Sequence, residues 1–542
     1  MPSFPFPRRG ALSLLGLLPI LIGVLCGVLP AADPGDYILT PRPEPAPKIN
    51  GPAVYGVRPG RPLLYRIPCT GTRPIHFAAE GLPGSLRLDA ETGIITGNAP
   101  REPGEYALTL RATNDHGHAT KHWKIVVGDT LALTPPMGWN DWYTHYDRVT
   151  DRLLRQAADA MISSGMADFG YQYVNVDDCW MVKPGSDNAE LGGAQRDEAG
   201  AIRPNNRFPD MRALTAYIHS RGLKAGLYTS PGPKTCAGFT GSYQHEAADA
   251  RKFAEWGFDF LKYDWRSYRP AGDGKTLADY RLPYELMGGL LAKLDRDIVF
   301  NLCQYGMGEV WNWGGDVGGH CWRTTGDLGL EKSAKLPGFY FIGFKNAEHA
   351  ASARPGRWND PDYILIGAVG DAFHIDAPPK PTTLTPDEQY SYMSMWSLMA
   401  APLIYSGDMN HLDEFTLNVL CNAEVIDVDQ DPLGRQASVI RHNENEFILA
   451  KPLEDGSVAL GLFNLGDAPE MISVSWTAVG IKGKFQVRDL WRHKDAGAAD
   501  GEYSATVNRH GVVLVRLRNP DNSTPNDSPA RPMGAVKLVP IR

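Results

Sequence analysis

Between Leu131 and Gln430, short apolar segments alternate with amphipathic segments, and this alternation constrains the fold more than any other feature of the sequence. The segment from Asp151 to Met166, for example, places its apolar residues on one face at helical spacing. Strand–helix repeats with nearly continuous apolar strands are typical of a parallel sheet. Eight strands over about 300 residues favour a closed (β/α)8 barrel over an open sheet. The predicted strands are Met137–Asn140, Tyr173–Asp178, Leu223–Thr229, Phe258–Asp264, Ile298–Tyr305, His320–Asp327, Tyr363–Gly367 and Leu403–Ser406.

The regions on either side of this alternation are predicted to be β-rich. Residues 49–129 contain short alternating runs separated by turn residues, which predict a small β-sandwich. Residues 433–519 contain short strands, several with period-2 alternation, which predict an antiparallel β-sandwich. Because 542 residues are too many for one hydrophobic core, we expect a multidomain chain whose central barrel occupies residues 130–432.

The N-terminus has the layout of a secretory signal peptide. Two arginines precede an apolar run from Ala11 to Val28, and small residues follow at Ala31 and Ala32. The sequence therefore predicts a signal peptide over residues 1–32 and export to the periplasm or the extracellular space, with no stable membrane span after its removal. The alternative is a single membrane anchor, because the run approaches the length that spans a bilayer.

Composition excludes several classes of function and partner. Residues 33–48 are proline-rich and predict an extended linker, and the polar residues 520–542 predict a disordered tail. A formal charge of -8 provides no basic field, so no nucleic-acid partner is expected. Seven cysteines allow one or two disulfides at most, and no His/Cys cluster suggests a metal or other cofactor. The oligomeric state is left open.

Barrel active sites lie at the carboxyl ends of the strands, so polar residues at these ends are the candidates for chemistry. Carboxylates, amides, one lysine, one arginine and aromatic side chains gather there, which is the composition of a sugar pocket. No Ser, Cys or His stands there with a base and an orienting group, so a catalytic triad is not expected. The candidates are Trp139, Asp177, Asp178, Tyr228, Lys262, Asp264, Gln304, Tyr305, Arg323, Asp327, Asp360 and Asp362.

Two of these aspartates suit the cleavage of a glycosidic bond, which needs an acid at the leaving oxygen and a carboxylate at the anomeric carbon. Asp264 ends an apolar strand, where a carboxylate is costly unless it faces a polar cavity. Lys262 lies on the same side of that strand, and we expect its charge to keep Asp264 ionised as nucleophile. Asp327 lies in a loop with less cationic support, and we expect it to act as the acid. Singly, each aspartate is better explained by a helix cap or a turn, but together at the strand ends they favour a site.

The same segments resemble glycoside hydrolase family 27, the α-galactosidase and α-N-acetylgalactosaminidase family. They occur in order and are followed by the C-terminal β-region, so the resemblance covers most of the chain. Residues 81–97 resemble the immunoglobulin-like modules found beside bacterial enzymes. The segments similar to family 27 are Thr134–Asn140, Val176–Met181, Gly222–Tyr228, Lys234–Gly238, Phe260–Asp264, Trp322–Asp327, Trp358–Asp362 and Asp429–Gly434.

The resemblance implies a role for each matching residue. Asp264 would be the nucleophile and Asp327 the acid/base of a retaining double displacement through a glycosyl-enzyme ester. Asp177 and Asp178 would bind the axial 4-hydroxyl and the 6-hydroxyl of a terminal galactose, the expected part of the glycan partner. The remaining substrate-binding residues would be Trp139, Tyr228, Lys262, Gln304, Arg323 and Asp362.

Two alternatives to galactose hydrolysis remain open at this point. Gln304 and Tyr305 replace the Glu-Trp pair frequent in the family, and this leaves room for a β-L-arabinopyranoside, an α-N-acetylgalactosaminide or an α-glucan as substrate. The other alternative is a non-catalytic carbohydrate-binding protein, against which the presence of both Asp264 and Asp327 argues.

Overall fold

The structure is a computed structural model that describes residues 37–265, 268, 276–328, 335–370 and 377–520. The predicted signal peptide (1–32), the start of the predicted linker and all but the first residue of the predicted tail lie outside the described residues. Within the described ranges, no helix is long and apolar enough to cross a membrane.

Nine strands form the predicted N-terminal β-sandwich. They are β1 (Lys48–Ile49), β2 (Val54–Val57), β3 (Pro62–Arg66), β4 (Cys69–Thr70), β5 (His76–Glu80), β6 (Leu86–Leu88), β7 (Ile94–Asn98), β8 (Gly104–Asn114) and β9 (Gly117–Val127). One sheet has the order β2-β9-β8-β5, a second has the order β3-β7-β6, and β1 pairs with β4. The core between the sheets includes Trp123, whose ring stacks on that of Tyr65 at 4.4 Å between centroids.

The central region forms the predicted barrel. Its strands are β10 (Met137–Asn140), β11 (Tyr173–Asn175), β12 (Lys224–Thr229), β13 (Phe260–Asp264), β14 (Val299–Cys303), β15 (Cys321–Arg323), β16 (Trp358–Asp360), the hairpin β17 (Ala368–Val369) and β18 (Lys380–Pro381), and β19 (Leu403–Tyr405). Eight of them pair in parallel in the order β16-β15-β14-β13-β12-β11-β10-β19. A parallel bridge between Ile364 and Tyr405 closes the barrel.

The prediction for the seventh barrel strand was wrong. The strand is β16, which ends at Asp360, and the apolar run Tyr363–Gly367 follows it as a buried segment with a single bridge. Pro361 has no N–H to donate to the ladder, and Asp362 has a φ of +86°, so the strand cannot continue through them. The buried segment is as apolar as a strand, which is why the sequence pattern placed the strand there.

Helices connect the barrel strands, and their apolar faces cover the sheet. Asp210 caps α3 by accepting a hydrogen bond from the N–H of Ala213, and the bounds of α3 agree with the predicted helix. The helices of the barrel region are α1 (Trp142–His145), α2 (Asp151–Ser163), α3 (Met211–Ser220), α4 (Glu246–Trp256), α5 (Leu277–Leu291), α6 (Val310–Trp313), α7 (Gly338–Ala347), α8 (Pro386–Leu398), α9 (Glu414–Leu420) and α10 (Ala423–Asp429). A further helix, α11 (Trp476–Val479), lies in the C-terminal domain.

Eight strands follow the barrel and form the predicted C-terminal antiparallel domain. They are β20 (Ser438–His442), β21 (Glu446–Pro452), β22 (Val458–Asn464), β23 (Glu470–Ser475), β24 (Lys484–Asp489), β25 (Lys494–Asp500), β26 (Glu502–Val507) and β27 (Val512–Arg518). The larger sheet has the order β20-β21-β22-β27-β24-β25, and β23 pairs with β26.

The described end of the predicted linker contacts the barrel region, since the N–H of Thr40 donates to Oδ1 of Asn418 on α9 at 3.1 Å.

Candidate active site

The carboxyl ends of the barrel strands bring most of the predicted site residues together in the buried interior. Each charged member is more than nine-tenths buried except Asp327, whose side chain is 17% exposed. Because an unpaired buried charge is costly, the partners of these groups decide what the site can do. The buried charged residues are Asp177, Asp178, Lys262, Asp264, Arg323 and Asp362.

Asp264, the last residue of β13, is held by two phenol groups. The hydroxyl of Tyr228 donates to Oδ2 at 2.7 Å, and the hydroxyl of Tyr305 donates to Oδ1 at 2.7 Å. Hydrogen bonds to a carboxylate stabilise its charged form, which is the form a nucleophile needs. The two phenols also fix the orientation of the carboxylate in the barrel.

Lys262 makes its direct ion pair with Asp177, and its charge also interacts with that of Asp264. The ammonium group donates to Oδ2 of Asp177 at 2.8 Å, and its direct ion pair is therefore with Asp177 and not with Asp264. Asn140 donates to the same oxygen at 2.8 Å, and Tyr363 does so at 3.2 Å. Lys262 and Asp264 are two residues apart and share one face of β13, but the ion pair of Lys262 passes over β12 to the residue that follows β11.

The prediction that Asp327 has little cationic support was wrong, because an arginine lies beside it. Nη2 of Arg323 lies 3.2 Å from Oδ1 of Asp327 and 3.0 Å from Oδ2 of Asp362. Burial and the negative charges of both Asp264 and Asp327 raise the pKa of Tyr305 well above its usual value. The charges of both predicted catalytic carboxylates therefore act on one phenol.

Asp178 sits in a different electrostatic setting from its neighbour Asp177. Its two oxygens accept hydrogen bonds from the backbone N–H groups of Cys179 at 2.7 Å and Ala237 at 2.8 Å. Burial raises the pKa of Asp178 to about 7, although these N–H groups favour the charged form. Near neutral pH this side chain can both donate and accept hydrogen bonds, which suits a sugar hydroxyl.

Asp362 lies just beyond β16 in the left-handed region, where Asp is among the more tolerated residues. Its Oδ2 accepts a hydrogen bond from the hydroxyl of Tyr143 at 2.7 Å and from the N–H of Leu328 at 3.1 Å. Burial raises the pKa of Asp362 to about 6, while Arg323 opposes this shift. No described residue donates to its other oxygen, Oδ1.

The two remaining predicted residues differ in what they can contact. Gln304 is fully buried, and neither amide atom has a hydrogen-bond partner in the described chain. Trp139 is also fully buried, but its indole N–H donates to the carbonyl of Gly407 at 2.8 Å. Trp142, which is half-buried, lies nearer the charged groups, with its ring centroid 6.0 Å from Nζ of Lys262. This makes Trp142 the better candidate for a pocket wall.

Family models match the chain in three segments. Residues 134–431 match the family described as alpha galactosidase A, residues 447–517 match the alpha galactosidase C-terminal beta sandwich domain, and residues 46–128 match an Ig domain family. The first match covers more than half of the chain. The chain belongs to glycoside hydrolase family 27, the α-galactosidase family.

Named relatives and solved structures agree with this α-galactosidase family assignment. Alpha-galactosidase 2 of Arabidopsis thaliana is 36% identical over 73% of this chain and 92% of its own length. Alpha-galactosidase A of Cellvibrio japonicus is 33% identical over 72% of this chain and 93% of its own. The structure of alpha-galactosidase I from Mortierella vinacea is 28% identical, with a TM-score of 0.64 over 72% of this chain and 98% of that chain. A Bacteroides fragilis structure assigned to the α-galactosidase/melibiase class reaches a TM-score of 0.80 at 36% identity, covering 89% of this chain and 99% of that chain.

Membership makes the chain an α-galactosidase-type O-glycosyl hydrolase, with a barrel between an Ig-like domain and a C-terminal β-sandwich. The exact domain boundaries remain predictions. In the part of the chain that the structure describes, no three His, Cys, Asp or Glu side chains are arranged to hold a metal ion.

Sequence reasoning missed several residues that complete the candidate site of this α-galactosidase family member. Asp141 is buried, accepts a hydrogen bond from the N–H of Asp177 at 2.7 Å, and has its pKa raised well above the usual value by burial. Most of the missed residues follow a predicted site residue by one or two positions. Considering a few more residues after each strand end would have identified them. The missed residues are Asp141, Trp142, Tyr143, Tyr305 as a partner of Asp264, and Tyr363.

Proposed function

We propose that the chain removes terminal α-linked galactose from oligosaccharides or polysaccharides by double displacement through a covalent glycosyl-aspartate. The observation that carries this proposal is the position of Asp264 at the end of β13, held by two phenols, one of which also feels the charge of Asp327. A retaining glycosidase requires two carboxyl groups, one as the nucleophile and one as the acid/base.

In the first step, an oxygen of Asp264 attacks the anomeric carbon as the glycosidic carbon–oxygen bond breaks. The carboxyl proton of Asp327 passes to the leaving oxygen. In the second step, water attacks the anomeric carbon, its proton passes to the carboxylate of Asp327, and the ester to Asp264 breaks. Two inversions at one carbon return the original anomeric configuration.

The buried charges support recognition of a hydroxyl-rich ring. Asp177 with Lys262 and Asp362 with Arg323 provide paired donors and acceptors on two sides of the site. Gln304 offers an unused amide, which we assign to the sugar 2-hydroxyl. Because each of these charges is paired within the protein, the cost of ordering the site on binding is low.

The decisive experiment compares wild type with Asp264→Asn on nitrophenyl α-galactoside. We expect turnover by wild type and a loss of about 10³-fold or more in the variant, because the carboxamide cannot form the ester. Asp129→Asn, an exposed aspartate beyond β9, is the matched control and should keep full activity. NMR of the first-formed product should show the α-anomer, and a β-anomer would contradict the double displacement.

A panel of other glycosides separates the alternatives. Turnover of a β-L-arabinopyranoside, an α-N-acetylgalactosaminide or an α-glucan in preference to the α-galactoside would replace the proposed sugar while keeping the mechanism. Sugar binding without turnover of any glycoside would identify a non-catalytic binding protein.

We also propose that the chain is exported after removal of residues 1–32, on the layout of the apolar run and the alanines that follow it. N-terminal sequencing of the secreted protein should begin near residue 33. Recovery of the intact N-terminus in the membrane fraction would support an anchor instead.

A further inference from the structure

A cavity of about 460 Å³ lies between the Ig-like domain and the barrel, on the barrel face opposite to the candidate active site. Its barrel side is formed by residues at the amino ends of strands, whereas the predicted site residues stand at the carboxyl ends. Domain interfaces are a common location for small-molecule sites. The side chains used below are Tyr55, Tyr65, Tyr173, Lys224, Asp259 and Arg296.

Lys224 is the unusual residue of this cavity. It is 8% exposed, and its ammonium group makes one hydrogen bond, to the hydroxyl of Tyr55 at 2.7 Å. The ammonium also lies 4.5 Å from the ring centroid of Tyr55 and 5.4 Å from that of Tyr173. Since an ammonium group has three N–H donors, two of them have no acceptor among the described residues.

The acidic residues around the cavity are already matched by other cations. Asp259 pairs with Arg296 at 2.6 Å and with His219 at 2.8 Å. Burial alone would raise the pKa of Asp259, but the charge of Arg296 holds this pKa below its usual value. Asp297 pairs with Arg58. No carboxylate in the described chain lies within ion-pair distance of Lys224, so only the more distant charge of Asp259 acts against its positive charge.

A buried charge without a counter-charge is costly, and the two aromatic rings offset only part of that cost. An oxyanion in the cavity would supply the missing acceptors for Lys224. The cavity is much larger than a bare anion needs, and the rings of Tyr55 and Tyr65, 5.5 Å apart between centroids, provide apolar surface beside the charge. We propose that this cavity binds a small sugar ring carrying one acidic group, with the oxyanion on Lys224.

This site is separate from the catalytic centre and does not depend on the proposed hydrolysis. Its test is calorimetric titration of the full chain in the presence of saturating galactose, which blocks the catalytic site under the proposed function, and the two cavity variants below locate the binding independently of it. The ligands are galacturonate, galactose 6-phosphate, further galactose and acetate. We expect one acidic sugar to bind per chain, while galactose and acetate add no comparable binding. The two acidic sugars distinguish a carboxylate from a phosphate as the bound oxyanion.

Two variants tie the binding to the cavity. Lys224→Met keeps the aliphatic stem and should lower the affinity by about tenfold or more, as expected when one partner of a buried charge pair is removed. Thr96→Trp fills the cavity from an exposed lining position, leaves Lys224 intact, and should lower the affinity similarly even if Lys224→Met folds poorly. Lys482→Met, at an exposed lysine of the C-terminal domain, is the control and should bind as wild type does.

Three results would overturn the proposal. They are the absence of acidic-sugar binding under saturating galactose, equal affinity for acetate or galactose, and unchanged affinity in either cavity variant. Because turnover of nitrophenyl α-galactoside is measured separately, failure of the cavity site is distinguishable from failure of the proposed function.

Discussion

At the scale of single residues, most of the buried charges in the candidate site are paired with a charge of opposite sign. Lys262 neutralises Asp177, and Arg323 serves Asp327 and Asp362 together. Asp264 accepts hydrogen bonds from the hydroxyls of Tyr228 and Tyr305. Two such hydrogen bonds stabilise the charged form of the carboxylate and fix its orientation.

Removing one of these hydroxyls should affect chemistry more than binding. We expect Tyr305→Phe to lower kcat by about 10-fold or more, the effect of losing one hydrogen bond to a charged group. The inhibition constant of galactose should change little, because the ring and the remaining contacts stay. Tyr106→Phe, whose hydroxyl donates to a carbonyl in the Ig-like domain at 2.9 Å, is the control. An unchanged kcat for Tyr305→Phe would show that Tyr228 alone positions Asp264.

The pKa of Asp178, raised to about 7 by burial, predicts a pH dependence of stability. Between the unfolded value near 4 and the folded value, the folded state holds one proton more than the unfolded state. The contribution of Asp178 is therefore fully present below pH ~4 and is lost as the pH rises to about 7. Relative to wild type, Asp178→Asn should gain up to about 4 kcal/mol in unfolding free energy across this window. Urea denaturation at several pH values measures it, and a constant difference would contradict the shift.

At the scale of elements, the barrel strands meet at close contacts that leave no room for some side chains. Gly226 in β12 faces the neighbouring strands, and a Cβ there would collide with the amide of Asn175 and lie 3.0 Å from Cβ of Phe260. Such contacts explain why a glycine stands inside a fully buried strand.

We expect Gly226→Ala to destabilise the barrel by about 1–3 kcal/mol, the usual cost of overpacking a core. Gly84→Ala, where a Cβ would meet nothing within 4 Å, is the matched control and should leave the urea midpoint unchanged. Equal midpoints for the two variants would show that Asn175 can move aside at little cost.

At the scale of the whole molecule, hydrogen bonds and ion pairs bind the Ig-like domain to the end of the barrel at which the strands begin. Nη1 of Arg58 donates to the carbonyl of Ala292 at 2.6 Å, Nη2 donates to that of Arg296 at 2.6 Å, and the same guanidinium pairs with Asp297. On another side, Arg73 pairs with Asp168 at 2.6 Å. These contacts indicate that the domain supports the barrel and is not a loosely tethered module.

Arg58→Ala should therefore lower the unfolding free energy by about 2–4 kcal/mol, because it leaves Asp297 and two carbonyls without their partner. The KM for nitrophenyl α-galactoside should not change, since Arg58 lies on the opposite barrel face. Arg42→Ala, which breaks an ion pair whose side chains are 89% and 67% exposed, should have almost no effect. Equal thermal stability of both variants would mean that the interface contributes little.

The parts of the fold that could be predicted are those encoded by local periodicity. The bounds of α3 and the identity of seven barrel strands follow from apolar spacing and from caps within a few residues. Strand β25 was not predicted, because it is polar and mostly exposed and shows no alternation. The seventh barrel strand was misplaced, because a buried non-strand segment is as apolar as a strand.

The sequence by itself determined the barrel, the order of its strands along the chain and the aspartates at their ends, since each depends on residues close together in the chain. Only the tertiary structure decided which charges meet. Lys262 pairs with Asp177 across 85 positions, and Tyr305 reaches Asp264 across 41. Which side chains pair depends on how the sheet closes and on the direction of each side chain in space, and no local sequence pattern contains that information.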